Sequence, residues 1–201
     1  MFYSILRLFL RIILRVAFRF TVSGVENIPA TGGVIIAPNH ISNFDPPVIG
    51  CALPDNRRIR FMAKTELFQN AAVRWVVTAL GAFPVRRGMA DRTAIRTALA
   101  FLEQGGTVGI FPEGTRSKTG ALGRAEPGLG MIAVKAGVPV VPVAITGTNN
   151  LFRDGHIRPR IAVRFAAPVT VPPGRTDKEA AEYINEQVIG ELARMLAKEG
   201  G

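Results

Sequence analysis

Residues 33–52 read Gly-Val-Ile-Ile-Ala-Pro-Asn-His-Ile-Ser-Asn-Phe-Asp-Pro-Pro-Val-Ile-Gly-Cys-Ala, and this stretch decides the fold class. The run Gly33–Ala37 is short, β-branched and unbroken by polar residues, which is the pattern of a strand buried on both faces. A polar turn follows. Pro46 then suits the first position of a helix, predicted over Pro46–Ala52. A buried strand, a loop and a helix in so short a span open an α/β unit.

The alternation repeats down the chain. Runs at Arg58–Met62, Thr107–Phe111, Pro139–Ile145 and Arg160–Phe165 predict strands, and stretches at Glu66–Leu80, Asp91–Gln104, Gly128–Ala136 and Asp177–Lys198 predict helices. Gly105-Gly106 and Gly137 close two of these helices ahead of strands. The pattern predicts one α/β domain over residues 21–201, with a largely parallel central sheet flanked by helices. The chain of 201 residues is long enough to bury a substantial core.

Residues 1–20 stand apart. Phe2 to Phe20 is almost wholly apolar, except that Arg7, Arg11, Arg15 and Arg19 recur every four residues. Four guanidinium groups in a bilayer core would cost roughly 2.5–3.5 kcal/mol each, which argues against a membrane span. On a helix that spacing drifts by only about 40° per step, so the arginines share one face. Leu6, Phe9, Leu10, Ile13, Val16, Ala17 and Phe20 fill the others. This predicts an amphipathic helix lying in the headgroup plane of an anionic leaflet. The alternative is a core helix whose arginines face water. Because the positive charges run through the apolar stretch, and no small-residue cleavage site follows, the segment does not read as a secretory signal.

The net charge of +10 and sequence pI near 11.0 call for an anionic partner: nucleic acid, an anionic membrane or a phosphorylated substrate. Arginine supplies 20 of the 25 basic residues, and its planar fork suits phosphate. The basic residues are spread along the chain without a nucleic-acid motif, so no nucleic-acid partner is expected. A single cysteine, Cys51, excludes an intrachain disulfide and a cysteine-rich zinc site. With only His40 and His156 beside it, no metal site and no cofactor are expected. The sequence carries no mark of an oxidising compartment, which fits a membrane-associated protein on the cytoplasmic face.

Two polar segments follow buried strands, where sites form in open α/β sheets. The first is Asn39-His40-Ile41-Ser42-Asn43-Phe44-Asp45. Histidine changes charge nearer neutral pH than any other side chain and can serve as a general base when a carboxylate orients it. A continuous helix would turn Asp45 roughly 140° from His40. Pro46 disfavours helical geometry at Asp45, so a turn can bring the two together. Asp45 could equally be a simple helix N-cap. The second segment is Phe111-Pro112-Glu113-Gly114-Thr115-Arg116-Ser117. Its glycine, hydroxyls and guanidinium are the donors a phosphomonoester needs, although the same residues suit a surface turn. A third, Gly81-Ala82-Phe83-Pro84-Val85-Arg86-Arg87, forms a short strand ending in two arginines, either of which could reach the phosphate.

Together these segments resemble the glycerolipid acyltransferase family, specifically the 1-acyl-glycerol-3-phosphate acyltransferases. NHISNFD (39–45) matches the family's His-x4-Asp block and FPEGTRS (111–117) its third block. GAFPVRR (81–87) and VPVVPV (138–143) are similar to its second and fourth. The resemblance implies that His40 deprotonates the free hydroxyl of a lysolipid while Asp45 orients the ring. The resulting alkoxide attacks an acyl thioester, acyl-CoA or an acylated carrier protein, with no acyl-enzyme intermediate. It implies that Arg87, Glu113, Gly114, Thr115 and Arg116 bind the glycerol phosphate, with Asn39 and Ser42 supporting. Other acceptors, such as a lyso-ornithine lipid or another lysophospholipid, remain open at this point, as does a non-enzymatic basic binding module.

Two other readings are set aside. Gly128-Leu129-Gly130-Met131-Ile132-Ala133 has the spacing of a dinucleotide loop, but Glu126-Pro127 stands where a strand is required. Cys51 lies in an apolar helix and reads as packing.

Overall fold

The computed structural model describes residues 2–86, 91–117, 121–149 and 159–198. Among them seven strands form one sheet: β1 (Arg19–Ser23), β2 (Val34–Pro38), β3 (Ile59–Lys64), β4 (Phe83–Val85), β5 (Thr107–Gly109), β6 (Val140–Thr146) and β7 (Arg160–Phe165). Their spatial order is β1-β7-β6-β2-β5-β3-β4. Every neighbouring pair is parallel except β6 with β7. The largely parallel α/β domain read from the sequence is therefore the fold.

β2 is the middle strand, buried along its whole length. Its side chains alternate between two cores. Ile35 and Ala37 face the layer of α4 (Arg92–Glu103), α5 (Gly128–Ala136) and α6 (Asp177–Ala197), while Val34 and Ile36 face α1 (Phe2–Ala17) and α2 (Asp45–Ala52). Each fully buried aliphatic side chain of this kind contributes about 1.5–3 kcal/mol. One glycine of the discarded dinucleotide pattern, Gly130, serves this packing. A Cβ on Gly130 would stand 2.1 Å from the Ala181 carbonyl oxygen, so the glycine lets α5 lie against α6.

Three elements differ from the sequence expectation. The predicted helix over 66–80 is a 3₁₀ turn at Thr65–Phe68 followed by α3 (Ala71–Ala79). Asn70 restarts it, its side chain accepting from the N–H groups of Ala72 and Val73. β1 was hidden in the apolar N-terminal run: α1 stops at Ala17, and Arg19–Ser23 pairs with β7 at the sheet edge.

The third difference concerns the arginine stripe. Arg7 and Arg11 face the domain instead of headgroups. Arg7 is only 7 % exposed and donates to the carbonyls of Leu53, Pro54 (2.9 Å) and Arg57 (3.3 Å). Arg11 donates to the carbonyls of Cys51 (2.7 Å) and Leu53 (2.5 Å) and pairs with Asp55 at 2.6 Å. Cys51 stands in the last turn of α2 and Leu53 is its C-cap, so the two arginines supply donors at the negative end of the helix dipole and to the turn that follows it. Burial pushes the Arg7 guanidinium below its ordinary value. The opposite face of α1 exposes Ile5, Leu8, Phe9, Ile12, Ile13 and Val16. Among the described residues no helix is long and apolar enough to cross a membrane.

Candidate active site

The site gathers at the carboxyl ends of three adjacent strands, β6, β2 and β5. Beyond Pro38 the strand geometry is kept by Asn39, whose side-chain amide donates to the Ile145 carbonyl (3.0 Å) and accepts from the Ile145 N–H (2.8 Å). Asn39 thus fastens the end of β2 to β6 and presents His40 above the sheet.

The turn that follows carries Asp45 back to His40. Asp45 is the first residue of α2, with Phe44 at the cap position and no side-chain cap bond. The capping role considered for Asp45 is therefore not the one it plays. Its Oδ2 accepts from His40 Nδ1 (2.7 Å) and from the N–H groups of Ile41 (2.8 Å) and Ser42 (2.7 Å). Its Oδ1 accepts from the Thr148 hydroxyl at 2.5 Å. The side chain is wholly buried. Two peptide N–H groups and a hydroxyl converge on this carboxylate, which defines it as an acceptor, so the bonded Nδ1 of His40 carries the hydrogen. Nε2 keeps its lone pair, and no described residue bonds to it. Ser42 completes the turn, its hydroxyl accepting from the Phe44 N–H at 3.2 Å.

The 111–117 loop grips His40 from the β5 side. The His40 N–H donates to Glu113 Oε1 (3.1 Å), and the His40 carbonyl accepts from the Ser117 N–H (2.8 Å). The Phe111 ring stacks on the imidazole, with centroids 3.8 Å apart and planes 20° apart. Phe61 supports Phe111 at 5.5 Å, and its ring lies where a side chain on Gly109 would be. Gly109, Phe61, Phe111 and His40 thus form one packed column that fixes the imidazole plane.

The expected phosphate group divides. Glu113 faces inward: its second oxygen accepts from the Gly123 N–H at 2.9 Å, so both oxygens are committed to the frame of the loop. Gly114 sits at φ +65°, a turn conformation that favours glycine. Thr115 and Arg116 are exposed on the same loop. The Ser117 hydroxyl donates to the Ala121 carbonyl at 2.7 Å. Arg86 is turned to Asp91, whose carboxylate accepts from the Arg86 N–H at 2.9 Å. The N–H groups of Arg86, Ala94 and Thr93 hold Asp91 below its ordinary value. Arg87 lies outside the described residues, as does His156. Cys51 is buried, and burial raises its thiol to about 11, which suits packing. Among the described residues no three His, Cys, Asp or Glu side chains gather as metal ligands.

Thr148 was missed by the sequence reading, although it follows the carboxyl end of β6 as His40 follows β2. Thr148→Val leaves a buried carboxylate oxygen without its donor, a loss worth about 1.5–3 kcal/mol. We expect turnover to fall roughly tenfold or more with KM unchanged, and Thr148→Ser to restore it. Steady-state kinetics of the two variants check this; equal losses in both would leave the hydroxyl without a role.

Fold and geometry define a class: an α/β protein with a buried histidine–carboxylate pair at the carboxyl edge of a largely parallel sheet. Comparison with known proteins narrows it. The sequence model of the Acyltransferase family matches residues 19–146, and the chain belongs to that family. It is 34 % identical over 152 residues to the 1-acyl-sn-glycerol-3-phosphate acyltransferase of Bacillus subtilis, covering 74 % of this chain and 75 % of that one. It is 32 % identical over 142 residues to the chloroplastic enzyme BAT2 of the same name from Brassica napus, covering 69 % of this chain. The match spans 40 % of that plant relative's length. The crystal structure of the 1-acyl-sn-glycerophosphate (LPA) acyltransferase PlsC from Thermotoga maritima superposes with a TM-score of 0.75 at 31 % identity, over 97 % of this chain and 80 % of that one.

Proposed function

We propose that this protein transfers a fatty acyl group from an acyl thioester to the free sn-2 hydroxyl of a 1-acyl-glycerol-3-phosphate, giving phosphatidic acid. The donor is acyl-CoA or an acylated carrier protein; both are anionic and suit the strongly basic chain. The observation that carries the reading is the His40 imidazole. It is fixed on one side by a buried carboxylate and on its face by Phe111, and no described residue bonds to Nε2, the atom assigned to the substrate hydroxyl.

In this reaction Nε2 takes the hydroxyl proton as the oxygen bonds to the thioester carbonyl carbon. Asp45 stabilises the imidazolium that forms. The tetrahedral adduct then expels the thiolate as the C–S bond breaks, and the proton passes from His40 to sulfur. The substrate phosphate is assigned to Arg116 and Thr115 on the exposed 111–117 loop, with Arg87. A shallow apolar crevice lined by Tyr3, Leu6, Leu10, Pro46, Ile59 and Leu80 lies beside Asp45 on the α1 side of the sheet.

On this reading the exposed apolar row of α1 lies at the headgroup boundary of an anionic leaflet on the cytoplasmic face, where thioester donors are available. Arg7 and Arg11 hold the helix to the domain, so it is the apolar face that meets lipid.

The test is transfer from a labelled oleoyl donor by purified protein to a panel of lysolipids, with the product identified. Lysophosphatidic acid should be the preferred acceptor and phosphatidic acid the product. Preference for a lyso-ornithine lipid or a neutral lysophospholipid would move the phosphate assignment elsewhere.

A further inference from the structure

α3 is apolar and largely exposed. Ala71–Ala79 reads Ala-Ala-Val-Arg-Trp-Val-Val-Thr-Ala, and none of its residues is buried. Trp75 is 63 % exposed, Val76 46 % and Val73 38 %, and Leu67 on the preceding 3₁₀ turn is 41 % exposed. A helix in a globular domain normally hides an apolar stripe, and nine residues alone are too few for a stable helix in water. An exposed apolar face of this kind marks a surface that meets a partner or a membrane.

Charge decides between the candidates. α3 itself holds no acidic residue and one basic residue, Arg74. A second copy of a chain with net charge +10 would be repelled from such a face, whereas an anionic leaflet would be attracted to it. Tryptophan beside arginine is also the composition of a membrane–water boundary, where the indole body sits among acyl chains and its N–H stays hydrated. The position agrees: Leu80, which ends α3, lines the same crevice as Tyr3, Leu6 and Leu10 of α1.

We infer that α3 is a second membrane-inserting element, with Trp75, Val76 and Val73 entering an anionic leaflet beside the apolar row of α1. The inference rests on the reading of α1 as a membrane helix. The protein would then stand on lipid through two helices that meet at one apolar crevice.

Trp75 is the only tryptophan, so its emission reports α3 alone. The full chain is mixed with vesicles of equimolar phosphatidylglycerol and phosphatidylcholine, and sedimentation is measured in parallel. We expect co-sedimentation, a blue shift of the emission, and quenching by about half or more when the phosphatidylcholine carries brominated acyl chains, as for an indole at the interface. Val73→Ser with Val76→Ser should lower vesicle affinity about tenfold or more through the apolar surface lost, with unchanged circular dichroism. Co-sedimentation with unaltered emission overturns the role of α3 and leaves that of α1 standing. Absence of co-sedimentation overturns both. A blue shift that grows with protein concentration and without vesicles would assign the face to a second copy.

Discussion

His40→Ala is expected to lower acyl transfer by roughly 10³-fold or more, from the loss of general-base catalysis and of the base's positioning. The variant should fold. The backbone bonds that lock the segment belong to the peptide: the His40 N–H to Glu113 and the His40 carbonyl to the Ser117 N–H. Neither needs the side chain. The side chain is 8 % exposed and contributes the stack on Phe111 and the bond to Asp45. Losing them should reduce stability modestly while leaving circular dichroism and vesicle binding as in the parent. The loss should fall on kcat, because neither Thr115 and Arg116, proposed to bind the phosphate, nor the apolar row of α1, proposed to meet lipid, bonds to the imidazole among the described residues. Turnover near the parent's, measured with labelled oleoyl donor, would remove the base from this position and the proposed reaction with it.

Much of this site is legible because its parts are local. Gly33–Ala37 reads as a buried strand because both of its faces meet a core, and the break at Pro38-Asn39 announces the end where sites form. His40 and Asp45 are close in sequence, and Pro46 supplies the reason for the turn between them. What the sequence hides is long-range. Thr148 lies 103 residues from Asp45, and only the pairing of β6 beside β2 brings its hydroxyl to the carboxylate. Glu113 looks like part of a ligand cluster until the fold delivers two peptide N–H groups to it. Gly109, an isolated glycine inside a strand, did carry a signal of close approach, but not that Phe61 is what approaches. The arginines of α1 show the same limit. Every fourth residue of a helix shares a face, but sequence does not say whether that face meets headgroups or the open end of another helix. Here the carbonyls of Cys51, Leu53, Pro54 and Arg57 claim Arg7 and Arg11, and the apolar side is turned out.

Asp45→Asn separates the charge of this residue from its shape. Three donors converge on Oδ2, so the amide oxygen must take that place, and the amide nitrogen falls at Oδ1, facing Thr148. The Thr148 hydroxyl can rotate and accept instead of donating. The turn should therefore survive, Nδ1 of His40 still finds an acceptor and Nε2 keeps the lone pair of the proposed base. Only the negative charge that stabilises the imidazolium is gone. We expect kcat to fall by about 10²- to 10⁴-fold with KM little changed, the range in which a base supported by a buried carboxylate loses its effect. Asp45→Ala behaves differently. It leaves the N–H groups of Ile41 and Ser42 and the Thr148 hydroxyl without their acceptor, at about 1–3 kcal/mol for each group that water cannot reach, so it should lower Tm clearly where Asp45→Asn does not. Thr148 acts through the same carboxylate, so Asp45→Asn combined with Thr148→Val should be little worse than Asp45→Asn alone, a coupling that steady-state kinetics of the four proteins measure. Full additivity would mean that Thr148 works on something other than Asp45. Parental turnover in Asp45→Asn would make the carboxylate a brace for the turn and leave His40 to work unaided.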